Sequence, residues 1–171
     1  MKNSVSRSEY RHLLFRTAVL VMACDGEIHA DEIQELLIAH QRTNYFSGID
    51  FDVELSRLRD QMETDKQAVI RNYFEVLSEH ELDPVQQLQL LELALRIVYA
   101  DQRVHENEKR FCQMIQRVLR IPEPIMEQRF GSVSFISSTS HGRKIKDGDL
   151  VTAIADQLSL PTMEDLKVIE D

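Results

Sequence analysis

Four carboxylates at matched positions carry the chemical interest of this chain. Asp25 and Glu32 belong to the phrase Ala23 to Glu32, and Asp101 and Glu108 close the related phrase Tyr99 to Glu108. Each member of the second pair lies 76 residues after its counterpart, so the sequence supplies its own alignment of two segments. Two Asp and two Glu brought together would offer hard oxygen ligands suited to Ca²⁺, Mg²⁺ or Mn²⁺. His29 and His105 also occupy equivalent places, with Cys24 and Cys112 nearby in sequence, which raises zinc or another transition metal as a further reading. Against it, Cys112 aligns with Leu36 and reads first as a small core residue.

The same residues have a purely structural reading. Each Asp falls where an apolar stripe reaches the C-terminus of a first helix, facing the negative end of the macrodipole at a cost of roughly 0.3–1 kcal/mol. The amides of the following helix, a nearby Arg or Lys, or a bound cation could offset that cost. Each Glu falls in the first turn of a second helix, where a carboxylate is favourable and can reach back to the cap amide. The cap positions themselves hold His29 and His105, poor N-cap residues, so the hydroxyl half of a capping box is missing. Helix caps and a cation site both remain open at this point.

Other chemistries are excluded more firmly. An EF-hand loop starting at Asp25 needs Gly at its sixth position and Glu at its twelfth, where the chain has Ala30 and Leu36. A di-iron bundle needs two Glu-x-x-His pairs, and only Glu9 to His12 supplies one. No phosphate-binding loop, nucleophile elbow, Cys-His nucleophile pattern or dinucleotide turn occurs. With five glycines in the whole chain, an active site built on tight loops is not expected, and no enzymatic activity is assigned.

The elements that must position these residues are helices. Tyr10, Leu13, Leu14, Thr17, Ala18 and Val21 keep an i, i+3, i+4, i+7 rhythm that ends at Asp25, and Ile33, Leu36 and Leu37 continue it in a second helix starting near Asp31. Ile28 is placed to staple onto Ile33. Helices with Phe51, Leu55, Leu58 and Met62, then Val69, Ile70, Tyr73, Val76 and Leu77, follow. Asp83 and Pro84 mark a new start as cap and first helical residue. Leu90, Leu93, Ala94 and Ile97 then repeat the first hairpin's pattern up to Asp101, with Phe111, Cys112, Ile115, Val118 and Leu119 in its partner. A short helix holds Ile125, Met126 and Phe130 and closes at Gly131. Ser132 to Lys146 reads as a loop or linker with at most a short strand near Val133 to Ile136. A helix from Asp149 with Val151, Ile154, Ala155 and Leu158, ended by Pro161, and a last amphipathic piece with Met163, Leu166 and Ile169 complete the chain. Whether these pieces dock or await a partner is left open by the pattern.

The chain's 171 residues suffice for one core with an extension, and the net charge of −9 disfavours nucleic acid, whose binding rests on Lys and Arg. No run reaches the roughly 18–20 apolar residues that span a bilayer, and the N-terminus leads into polar sequence rather than a signal-peptide core, so a cytoplasmic location without membrane insertion is expected. The two cysteines read as reduced core thiols.

Ala23 to Glu32 is similar to the Ala-Asp-Gly-x-Ile/Val-x-x-x-Glu signature of the tellurite-resistance TerB family, which also includes the N-terminal domain of the DjlA co-chaperone. Ala100 to Glu108 matches the same pattern less closely, with Gln102 in place of the Gly. The resemblance covers roughly residues 8–130 and leaves 131–171 as a C-terminal linker and short helical extension. It implies an all-α domain of about seven helices in two pseudo-symmetric halves. It also implies a divalent-cation site at Asp25, Glu32, Asp101 and Glu108. The function to expect is a non-enzymatic accessory domain in stress response that binds a divalent cation, among them Ca²⁺, Mg²⁺, Mn²⁺ or Zn²⁺, and docks proteins, including membrane-associated ones. The alternative is a helical protein-protein interaction module without metal, its acids serving as caps.

Overall fold

Ser6 opens the first helix with a complete capping box: its hydroxyl accepts from the Glu9 amide at 3.1 Å, and the Glu9 carboxylate accepts from the Ser6 amide at 2.8 Å. The structure, a computed structural model, describes residues 3–131 and 147–167, and this helix, α1, runs Arg7–Ala23. Its expected single stripe proves too narrow. From Thr17 to Cys24 every side chain is buried, Val19, Leu20 and Met22 included. A helix apolar all round must lie inside the molecule, and α1 does so because its counterpart in the repeat, α5 (Pro84–Val98), packs along it and α6 (Glu106–Leu119) touches it. Thr17 is tolerated there because its hydroxyl donates to the Leu13 carbonyl at 2.7 Å and meets the Tyr73 hydroxyl at 2.6 Å.

The remaining elements start and stop where local chemistry directs them. α2 spans Ala30–Arg42, α3 Phe51–Thr64 and α4 Lys66–Glu79, the last two capped by Asp50 and Asp65. Asp83 caps α5 with Gln86 completing the box and Pro84 at the first turn, as the sequence predicts. α6 ends at Arg120 in the left-handed conformation, and α7 (Glu123–Phe130) ends at Gly131. A two-residue parallel pairing, β1 (Asn3–Ser4) with β2 (His80–Glu81), ties the N-terminus to the end of α4 and had no signal in the sequence. The architecture is all-α, with seven helices up to Gly131. Cys24 and Cys112 are free, buried thiols.

The extension is docked. α8 (Asp147–Gln157) packs on α4 and α6, and α9 (Met163–Lys167) on α2. Val151, Ile154, Leu158 and Leu166 join the core. The Ser159 amide donates to the Ala23 carbonyl at 3.1 Å, so the chain just past α8 satisfies an end of α1. The expected linker over 132–146 and the apolar residue Ile169 lie outside the described residues. Among the described residues no helix is long and apolar enough to cross a membrane.

Candidate metal centre

The two copies of the repeated phrase fold into the same corner. α1 runs out into a turn in which Gly26 takes φ +85°, and α5 into one in which Gln102 takes φ +62°. The second turn therefore accepts the left-handed strain that glycine avoids. In the first, Asp25 Oδ1 accepts from the Glu27 amide at 2.9 Å; in the second, Asp101 Oδ1 accepts from the Arg103 amide at 2.9 Å. These turn amides offset the helix-end cost for one oxygen of each carboxylate. The second oxygens, Asp25 Oδ2 and Asp101 Oδ2, are buried and make no hydrogen bond.

The following helices repeat the division of labour. Glu32 Oε2 accepts from the His29 amide at 3.2 Å and Glu108 Oε2 from the His105 amide at 3.0 Å, which is the Glu half of a capping box. Glu32 and Glu108 are fully buried, and their Oε1 atoms are again without hydrogen-bond partners. Packing of α1 against α5 then brings the corners face to face. His29 Nε2 lies 3.8 Å from Asp25 Oδ2 and 3.5 Å from Asp101 Oδ2; His105 Nε2 lies 3.3 Å from Asp25 Oδ2 and 3.9 Å from Asp101 Oδ2. Each imidazole sits closer to the other corner's Asp than to its own. The two rings stack with centroids 5.7 Å apart and planes at 12°.

The electrostatics are unusual for a set of structural caps. Asp25 and Asp101 side chains are only 5% and 8% exposed, and among the described residues no Lys or Arg pairs with either. Glu54 on α3 provides the contrast: it is also buried, but Arg57 meets its Oε1 at 3.1 Å. Burial is the main cause that pushes the Glu32 carboxyl up to about 9, with the facing Glu108 carboxyl adding to it. Burial also raises Glu108, while the hydrogen bond it accepts from the His105 amide and the facing Glu32 carboxyl pull the other way. This pattern fits one proton held between the two glutamates. The Cys24 thiol is pushed up chiefly by burial, so both cysteines behave as core residues and not as thiolate donors.

Asp25, Glu32 and Glu108 present oxygens within 4.8 Å of one another, and Asp25, His29 and His105 present donor atoms within the same span. The cluster could hold a metal ion. Asp101 joins it through the two imidazoles. The residues absent from the expected ligand set are His29 and His105, although their equivalence in the two phrases was a visible signal. The structure also ties the centre to the extension: Asn107, beside Glu108, donates through Nδ2 to the Cys24 carbonyl at 3.0 Å and to Gln157 Oε1 at 2.9 Å. A Cβ on Gly26 would come within 2.8 Å of the Gln157 carbonyl oxygen, so close approach of the extension as well as positive φ reserves this position for glycine.

No curated protein and no solved structure matches the chain. A family model described as tellurite resistance protein TerB matches residues 12–128, which contain both corners and all of the acids and imidazoles between them. With well over half of its length accounted for, the chain belongs to the TerB family.

Proposed function

We propose that the protein is a non-enzymatic accessory domain of the tellurite-resistance type, acting in the cytoplasm in a stress response, which binds a divalent cation at its paired corners and docks partner proteins. The observation that carries this reading is the set of six buried donor atoms without hydrogen bonds, on Asp25, His29, Glu32, Asp101, His105 and Glu108. Leaving such atoms buried and unpaired costs about 1–3 kcal/mol each, more for charged groups, and a cation would remove the cost at several of them together. Calorimetric titration of chelator-stripped protein with Ca²⁺, Mg²⁺, Mn²⁺ and Zn²⁺ tests it. One site per chain is expected, abolished in Asp25→Ala/Asp101→Ala. Absence of binding below millimolar concentrations for every ion would sink it.

The cap hydrogen bonds of Glu32 and Glu108 favour a second reading, a metal-free helical interaction module. On that reading Glu32→Gln changes thermal stability by the same amount with and without divalent ions.

A further inference from the structure

Resting on the cation reading above, we infer that the ion is a borderline transition cation of the Zn²⁺ class, held by the imidazoles of His29 and His105 with the carboxylates of Asp25 and Asp101. Glu32 and Glu108 then lie beside the ion as a buried, facing pair and not as ligands.

Two overlapping donor sets occupy the corner, and they call for different ions. Asp25, Glu32 and Glu108 form an all-oxygen set, the choice of Ca²⁺, Mg²⁺ or Mn²⁺. Asp25, Asp101, His29 and His105 form a mixed nitrogen and oxygen set, which suits Zn²⁺ and its neighbours. Geometry favours the second. Zinc binds imidazole nitrogen and carboxylate oxygen at about 2.0–2.1 Å, and a tetrahedron of that radius has edges of about 3.3–3.4 Å. The four His–Asp separations are 3.3, 3.5, 3.8 and 3.9 Å, each within about 0.6 Å of such an edge, so both imidazoles face both carboxylates at close to ligating spacing. The donors are also oriented in advance. The Oδ1 atoms of both aspartates are fixed by turn amides, which leaves Oδ2 aimed inward, the kind of outer support that holds metal ligands in place.

The glutamates are less suited to direct ligation. Each already spends one oxygen on a cap amide, and both are sealed from solvent. The imidazoles, by contrast, are 29% and 35% exposed and form the side from which an ion can enter. Ca²⁺ needs six to eight oxygens and Mg²⁺ a near-ideal octahedron with retained waters, neither of which two buried imidazole nitrogens facing two carboxylates provides.

The test uses the full chain stripped of metal. Co²⁺ is titrated and read by visible absorption, Zn²⁺ by competition with a chromophoric chelator, and Ca²⁺ and Mg²⁺ by calorimetry. The variants are His29→Asn/His105→Asn and Glu32→Gln/Glu108→Gln. Asn is a better N-cap than His, so the first variant keeps its helix starts. One Co²⁺ per chain with an intense tetrahedral spectrum is expected, together with a preference for Zn²⁺ over Ca²⁺ and Mg²⁺ of at least about 1000-fold. The histidine variant should lose at least about 100-fold in Zn²⁺ affinity with an undiminished thermal midpoint in chelator, and the glutamate variant less than about 10-fold. Wild-type Zn²⁺ affinity in the histidine variant, a weak octahedral Co²⁺ spectrum, or Ca²⁺ binding that disappears only in the glutamate variant would overturn the histidine assignment while leaving a cation site standing. Failure of every ion to bind wild type would overturn both readings.

Discussion

Replacing Asp25 with Asn separates a charge held for a cation from a charge held for the fold. Asn keeps the side-chain oxygen that accepts from the Glu27 amide, so the turn survives and only the charge is lost. Asp25, Glu32 and Glu108 oxygens lie within 4.8 Å of one another. At an effective dielectric of about 20, a like-charge pair at that distance repels by about 3.5 kcal/mol. Glu32, pushed up to about 9 by burial, is mostly protonated at neutral pH, which leaves Glu108 as the main buried repulsive neighbour. The half-exposed imidazoles admit solvent to the rim and reduce the figure, so relief of about 1–3 kcal/mol is expected. For a domain of this size each kcal/mol moves the midpoint by about 2–4 °C, and Asp25→Asn should therefore melt about 2–12 °C higher than wild type in chelator. The measurement is a thermal scan at mildly alkaline pH. With Zn²⁺ at about 100 times the dissociation constant, wild type gains about 2.7 kcal/mol and the variant does not, so the ranking contracts or reverses. A variant that melts lower than wild type in chelator, by the same margin with Zn²⁺ present, would refute the idea that Asp25 is an unneutralised charge.

Glu32→Gln should expose the pH dependence of the ion-free protein. The folded carboxyl is raised above its ordinary value of 4.5 to about 9, so its favourable contribution is complete below about 4.5 and is lost as pH rises through about 9. Wild type should lose stability relative to Glu32→Gln across that window in denaturant titrations, and parallel curves would count against the raised value. Gln102→Gly relieves a residue at φ +62°, and the 1–2 kcal/mol left-handed penalty less the flexibility cost of glycine predicts a gain of up to about 1 kcal/mol. Gly26→Ala at the matching position should instead lose at least about 1 kcal/mol, because φ is +85° and the new methyl meets the Gln157 carbonyl. Faster amide exchange in α8 would report that clash, and exchange unchanged from wild type would show that the extension does not bear on the turn.

The helix starts were legible because they are local. Asp83 and Pro84 marked the beginning of α5 to the residue, as cap and first helical residue. The repeated phrase likewise identified both corners and the four acids. The periodic reading placed every stripe residue of α1 correctly but was incomplete, because Val19, Leu20 and Met22 are buried outside that stripe as well. A single helix's pattern records how apolar each face is, but the neighbours that cover those faces come from distant segments. The docking of α8 and α9 was undecidable for the same reason, since Leu158 and Leu166 gain their burial from helices far away in sequence.

At the candidate site, residue order alone settled which groups are equivalent and which end of which helix each one occupies. Asp25 and Asp101 follow first helices, and Glu32 and Glu108 open second ones, because stripe period and turn chemistry act over a few residues. Which donors meet was decided by tertiary packing. His29 lies closest to Asp101 and His105 closest to Asp25, contacts created only when α1 and α5 pack side by side. That crossing converts a list of four acids into a cluster of two imidazoles and two carboxylates over a buried pair of glutamates. Sequence spacing within either corner holds no record of it, because each contact joins one repeat to the other.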